Sequence, residues 1–471
     1  MSELPEGWAI VPLGDISEVK GGKRLPKGAK FADEVTNHPY IRVSDFRGRT
    51  VSLDNIQYLS EDVYQHVSNY TINSKDIYIS IAGTIGVIGT IPEGLDGANL
   101  TENAAKITNI NFLEQRFLLY FLNSGAAQAH FHEQTVSTSQ PKLALFRIKT
   151  LEIPLAPLAE QKRIADKLDA LLARVDGCRA LLTRVPAILK RFRQAVLAAA
   201  TSGALTADWR EGQNELRRQN RYLVADSNCE VTNFEDRYKS VRLGTLVQEP
   251  MRNGKSVRDG NGHLVLRLSS LKKGTLDWNE VKHGDWGDID INRFLICTGD
   301  FLIARGNGSR DLVGRGALVT DVPAQVAFPD TMIRVRPDKS VMVPHYLRLV
   351  WDAAEVRNQI ELAARTTAGI WKIAQSDLEM IEVPLPPVSE QHEIVRRVET
   401  LFGYADRLEA RYTAALTRVE RLTPALLAKA FRGELVAQDS ADEPAALLLE
   451  RVQAARGAMG ESRVRRRPGI D

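Results

Sequence analysis

Cysteine is almost missing from this chain, with three in 471 residues, at positions 178, 229 and 297. They are far apart, odd in number and form no Cys-x-x-Cys pair. That excludes a disulfide framework and a cysteine zinc site, and it fits a reducing cytoplasm. No run of about 18 apolar residues occurs, so neither a membrane span nor a membrane partner is expected. The first twenty residues carry no basic stretch ahead of an apolar core, so no secretory signal is expected. A dominant charge sign is lacking too. The 62 Lys and Arg against 59 Asp and Glu leave a net +3, so any surface for a polyanion must be local.

Catalytic motifs are also missing. Amino-methyltransferases hold a flipped base with an Asn/Asp-Pro-Pro-aromatic loop, and no such tetrapeptide is present. The one Gly-Lys-Ser, at residues 254–256, has Glu249 where a phosphate-binding loop needs its first glycine. Neither a Gly-x-Ser-x-Gly elbow nor a His-Glu-x-x-His zinc motif occurs. His130 and His132 flank Phe131 and would point the same way on a strand, yet no third ligand is suggested. Asp330 and Asp338 near Lys339 fit a nuclease carboxylate set poorly. The chain is expected to have no active site of its own, and no metal or cofactor.

What the chain does have is a repeat. "PLAPLAEQKRIADKLDALLARVD" from Pro154 aligns without a gap with "PLPPVSEQHEIVRRVETLFGYAD" from Pro384, 230 residues later. At the same offset "WAIVPLG" matches "YKSVRLG", and Gly203 falls on Gly433. Between these anchors the halves diverge. The spacing predicts mixed α/β domains at 1–153 and 238–383, and long helical segments at 154–206 and 384–437. It also predicts a polar linker at 207–237 and a tail at 438–471 with one short apolar helix and a basic end. "DIYISIAG" and "DFLIARG" read as buried strands ending at glycine, and "RFLLYFLNS" and "HYLRLVWDAAEVRNQIELAA" as helices.

The helical segments carry apolar residues every seven positions. In the first, one seam includes Ile164, Leu171 and Cys178, and its partner Leu168, Val175, Leu182 and Leu189. In the second, the seams include Ile394, Leu401, Leu408 and Leu422, with Val398 and Val419. Such a repeat over more than four heptads predicts a coiled-coil seam. Each helix follows a proline-rich stop and has Glu160 or Glu390 in its first turn, where a negative charge suits the helix dipole. Pro186 and Pro424 inside the pattern predict a kink or a division. Some 40 helical residues span roughly 60 Å.

Basic residues interleaved with glycine concentrate in the divergent domains. The first has Lys20, Lys23, Arg24, Lys27, Arg42, Arg47 and Arg49. The second has Arg252, Lys255, Arg258, Arg267, Lys272, Lys273, Arg305, Arg310 and Arg315. Glycine lets backbone approach a phosphate closely, Lys and Arg neutralise it, and Arg also reads guanine in the major groove. The set predicts double-stranded DNA as the partner, with Arg42 or Arg267 as candidates for a base edge.

The order of divergent domain, Pro-Leu-x-Pro-x-x-Glu-Gln, long helix, all present twice, resembles the specificity subunit of Type I restriction-modification systems. Weaker matches are "VKGGKR" and "STSQPKLALFRIKTLEIPL"; the second copy departs from the latter, with Ile370-Trp371 where the first has Gln140-Pro141. The resemblance implies an α+β fold of two target-recognition domains, separated by two long helices packed as an antiparallel coiled coil with pseudo-twofold symmetry. It implies a bipartite DNA site, two methyltransferase subunits using S-adenosylmethionine for adenine N6, and motor-nuclease subunits using ATP and Mg2+. It also accounts for the missing catalytic motifs: this chain selects the site and its partners act. A methylation-only complex, a self-contained nuclease-methyltransferase and a coiled-coil adaptor without DNA binding are the alternatives that the residues leave open.

Overall fold

A computed structural model describes residues 4–110, 112–135, 141–221, 238–272, 274–367 and 369–464. Two compact units result, one of residues 1–182 and 414–471, the other of residues 183–413. Each contains one mixed domain together with pieces of both long helical segments. The units therefore cut across the sequence-based domains rather than following them.

The two mixed domains share a topology that their sequences barely share. In the first, a four-stranded antiparallel sheet runs in the order Glu18–Gly21, Ala104–Thr108, Ile77–Ser80, Ile88–Gly89. In the second the order is Arg252–Asn253, Met332–Val335, Phe301–Ala304, Gly316–Leu318. The central strands were legible as apolar runs because both faces are covered. Ile77 and Ile79 join the core under the helices, while Tyr78 faces the other way into a cluster with Phe46 and Leu100. Phe301 and Ile303 divide from Leu302 in the same alternation. Asp76 and Asp300, just ahead of these strands, accept from the backbone N–H of Asn73 (3.0 Å) and Cys297 (2.8 Å) and so fix the turn.

The repeated stretch closes each domain. Ala9–Pro12 pairs antiparallel with Glu152–Leu155, and Ser240–Arg242 with Glu382–Pro384. Two residues on, a long helix begins at Leu158 (α1, Leu158–Leu182). After a break at Thr183–Arg184 it resumes as α2 (Val185–Ser202), with Pro186 in the first turn where its missing N–H costs nothing. A further helix, α3 (Ala207–Arg221), follows. The counterpart of α1 and α2 in the second half is one continuous helix, α4 (Val388–Ala430), which contains Pro424 without dividing. Helix α5 (Ala445–Val464) ends the described chain. No described helix is long and apolar enough to cross a membrane.

In the repeated Glu-Gln, glutamine is a staple. The Gln161 amide donates to Ala156 O (2.8 Å) and accepts from Glu114 N (3.1 Å), capping the helix Gln115–Leu122. Gln391 does the same with Pro386 O (2.9 Å), Val341 O (2.8 Å) and Val343 N (2.7 Å), at the helix Pro344–Trp351. A side-chain amide offers two donors and an acceptor from one planar group, which suits it to tie these backbone groups together at both places.

The glutamates are fully buried rather than set at a solvated helix end, and they are unequally served. Glu390 Oε1 accepts from Arg210 (2.7 Å), Thr206 (2.6 Å) and Tyr238 (2.8 Å). Glu160 Oε2 accepts from Trp8 Nε1 (2.9 Å) alone, and Oε1 of Glu160 and Oε2 of Glu390 both have no partner among the described residues. Burial therefore holds the Glu160 carboxyl above the ordinary range. Arg210→Ala leaves a buried carboxylate uncompensated and should cost about 3–5 kcal/mol. Glu160→Gln keeps an acceptor for Trp8 and should cost less than about 1 kcal/mol at pH 7. Because the folded carboxyl titrates above its unfolded value, its contribution is full at low pH and declines as pH rises through the folded value. Urea unfolding of both variants at pH 5 and pH 8 checks the contrast, and the glutamine variant should show the flatter pH dependence.

The seam is buried where it meets a partner. In the first unit Ile164, Leu168 and Leu172 share a core with Leu427 and Ala430 near the end of α4. In the second, Val196, Leu197 and Ala200 share one with Ile394 and Val398 near the start of α4. Within each unit the paired helices thus run antiparallel. Arg193 adds ion pairs across that pairing, to Asp406 (2.7 Å) and Glu409 (2.8 Å).

The strict heptad is corrected in detail. Val175, Leu189 and Val419 are buried, Leu171, Leu182 and Leu401 are half-buried, and Leu408 and Leu422 are 51% and 44% exposed. The buried stripe steps Ile164, Leu168, Leu172, Val175. That is closer to 3.6 than 3.5 residues per turn, so a seven-residue count drifts off the stripe.

Three other expectations change. Residues 207–221 of the supposed linker are the helix α3, held by Arg210 and by Asp208, which pairs with Arg397 (2.6 Å); residues 222–237 lie outside the described residues. The tail is part of the first domain, since Ala445, Leu448 and Val452 of α5 are buried in its core. Its basic end from residue 465 lies outside the described residues. His130 and His132 lie on a helix, Gly125–Glu133, where residues two apart point to nearly opposite sides, and His130 Nε2 sits 3.2 Å from Arg147 O.

Candidate nucleic-acid interface

The interface is assembled from one device made twice. After the first strand of each four-stranded sheet, a glycine is pressed onto the turn that leads into the neighbouring strand, Ala104–Thr108 or Met332–Val335. Gly22 N donates to Ala104 O (2.9 Å) and Lys23 N to Leu100 O (2.9 Å). In the second domain Gly254 N donates to Met332 O (3.2 Å) and Lys255 N to Phe328 O (3.0 Å). A Cβ on Gly22 would run into the carbonyls of Leu100 and Thr101, and one on Gly254 into those of Phe328 and Pro329. Glycine is therefore required by contact, not by turn type. The following lysine leaves the sheet exposed, and Lys23 Nζ stands 5.6 Å from the Tyr70 ring centroid.

The next residue of each loop meets an acid. Arg24 Nε donates to Glu102 Oε1 (2.6 Å), and Ser256 Oγ donates to Asp330 Oδ1. Glu102 also accepts from Thr101 Oγ1 (3.0 Å). Partial burial pulls its pKa up, but these hydrogen bonds outweigh it and hold the carboxyl below the ordinary range. In the first domain a groove of about 360 Å³ brings Arg24, Arg42, Glu102 and Asn103 together with Phe31 and Tyr40.

Arg42 and Arg267 occupy the same place, each ahead of a short 3-10 turn, Val43–Asp45 and Leu268–Ser270. Arg42 is clamped: its guanidinium reaches Asp45 through Nε (3.2 Å) and Nη2 (2.9 Å) and donates to Asn55 O (2.8 Å). In the second domain Ser270 stands where Asp45 would, and its hydroxyl turns to Arg267 O (2.6 Å), leaving the Arg267 side chain exposed. Of the pair, Arg42 is the strut and Arg267 the outstretched arm.

The remaining candidates separate by their neighbours. Lys27, Arg47, Arg258 and Arg315 are exposed. Lys20 pairs with Glu18 (2.6 Å), and Lys272 lies 3.9 Å from Asp277. Arg49 is drawn to α1, over the Tyr120 ring (5.5 Å) and near Asp176 (3.5 Å). Arg310 is spent on Glu361 O (2.9 Å) and the Trp371 ring (5.2 Å). Arg252 and Arg305 are half-buried. Lys273 and residues 137–140 of the "STSQP" stretch lie outside the described residues. Among the described residues no group of three His, Cys, Asp or Glu side chains is placed to hold a metal ion. Sequence reasoning passed over Glu102 and weighed Asp330 only as a nuclease carboxylate; the folded loops bring them to Arg24 and Ser256.

The family described as the Type I restriction modification DNA specificity domain matches residues 5–185 and 278–418. The chain is 32% identical over 489 residues to the Type I restriction enzyme EcoKI specificity subunit of Escherichia coli K12, covering 99% of each. It is 31% identical to the StySPI specificity subunit of Salmonella potsdam, again covering 99% of each. It shares its fold with a chain from a structural study of the assembly of a type I restriction-modification system, at a TM-score of 0.66 and 20% identity over 92% of this chain and all of that one. The HsdS subunit from Thermoanaerobacter tengcongensis has the same fold at a TM-score of 0.57 and 20% identity, covering 92% of this chain and 98% of that one. The repeat, the Glu-Gln staple and these likenesses agree: the chain belongs to the specificity subunits of Type I restriction-modification systems.

Proposed function

We propose that the chain reads a bipartite DNA site, one segment per mixed domain, and carries out no chemistry itself. It directs two methyltransferase subunits, which use S-adenosylmethionine, and motor-nuclease subunits, which use ATP and Mg2+, to that site in the cytoplasm. The observation that carries the reading is the pair of Gly-Lys loops, the same in geometry and different in sequence. A shared frame with private loops suits two readers of two different half-sites.

The test is methylation mapping of host DNA with and without the gene, followed by reconstitution. Adenine methylation at one split sequence should disappear with the gene. It should return in vitro only when the chain, its methyltransferase partner and S-adenosylmethionine are combined. Methyl transfer by the partner-free chain, or an unchanged methylation map, overturns the proposal.

A further inference from the structure

We propose that Glu102 and Asp330 are base-reading residues, one in each domain, accepting a hydrogen bond from the exocyclic amino group of a cytosine or adenine in the major groove. The inference rests on the reading that the Gly-Lys loops face DNA. A carboxylate bound to the residue after Lys23 or Lys255 is out of place on a surface meant for phosphates, which repel it. Base amino groups are the donors on duplex DNA that reward it, and cytosine N4 is the usual partner of Glu and Asp.

Both acids stand at one structural position, two residues past the carbonyl that receives the lysine N–H. Each is fixed in advance. Glu102 is held by Arg24 and Thr101, and Asp330 by Ser256. A locked acceptor loses little freedom on meeting its donor. The pairs are also chemically different. Arg24 with Glu102 offers donors and an acceptor together, while Ser256 with the shorter, exposed Asp330 offers a smaller set. Two domains reading different segments need such a difference at matched positions.

The experiment uses the full chain with its methyltransferase partner and duplexes of the mapped site. Single cytosines are replaced by 2-pyrimidinone and single adenines by purine, which removes the amino group alone. The wild-type chain should lose at least about tenfold in binding at one position of the half-site read by the first domain. Glu102→Ala should lose that discrimination and leave the other half-site unchanged. Glu102→Gln, which keeps an acceptor, should restore part of it. Asp330→Ala and Asp330→Asn should mirror this in the other half-site.

An acid that merely sits near phosphates gives the opposite result. Its removal raises affinity for all sequences alike and leaves discrimination intact, which overturns the inference. If the wild-type chain does not bind the mapped site at all, the DNA-reading proposal fails first, and the two failures are distinguishable.

Discussion

A chain ending at Gln438 is expected to lose the fold of its first mixed domain, although the cut lies some 300 residues from that domain's sheet. The truncation removes Ala445, Leu448 and Val452, all within 3% of full burial, and uncovers the core that includes Leu13, Ile16 and Leu151. It also removes the Arg163–Asp442 ion pair (2.6 Å) and the hydrogen bond from Ala445 N to Gly7 O (2.9 Å). Burial of these side chains contributes about 4–6 kcal/mol, against a domain stability of about 5–15 kcal/mol. Limited proteolysis and thermal unfolding decide the matter. The cut chain should be digested first within residues 1–182, while a chain ending at Ala454 should unfold like the full length. Equal resistance of all three would show that α5 is an appendage after all.

Gly22→Ala is expected to abolish reading of one half-site and spare the other. The added methyl meets backbone carbonyls, which cannot step aside, so the loop must lift and the bond from Lys23 N to Leu100 O breaks. Losing one phosphate contact and one base contact together should weaken binding by about a hundredfold or more. Gly254→Ala should do the same for the second half-site. Gly94, whose Cβ position is open and whose backbone is ordinary, is the control and should tolerate alanine. Competition between duplexes mutated in either half-site gives the result. Wild-type discrimination in Gly22→Ala would mean that the loop is not at the interface.

The parts of this fold that were legible in the sequence are those that leave a period or a contact between neighbours. Ile77–Ser80 and Phe301–Ala304 show as apolar runs, and the two Glu-Gln stretches show as a repeat, because one geometric task has one chemical solution. Helix α3 left no such trace. It is held by Arg210 and Asp208, single ionic contacts to distant glutamate and arginine, and ion pairs have no periodicity. The docking of α5 was hidden for a related reason: "PAALLLERVQ" announces an apolar helix but not the surface it covers. At the interface, glycine and lysine gave the loops away, whereas the acids come from turns elsewhere in the chain and were joined to them only by folding. Arg42 and Arg267 looked alike in sequence, and a single neighbour, Asp45 or Ser270, separates their roles.

The make-up of the two units also sets an order of events during synthesis. Residues 183–413 form one uninterrupted stretch and have everything they need as soon as they leave the ribosome. The first unit, though begun earlier, lacks its closing pieces until Leu427, Ala430 and Ala445 have been made. At about 5–20 residues per second, the apolar stripe of Ile164, Leu168 and Leu172 stays open for roughly 10–50 s after it emerges. The part translated first is therefore the part finished last, and between the emergence of residue 413 and that of Leu427 a nascent chain carries a completed second unit behind an open first one.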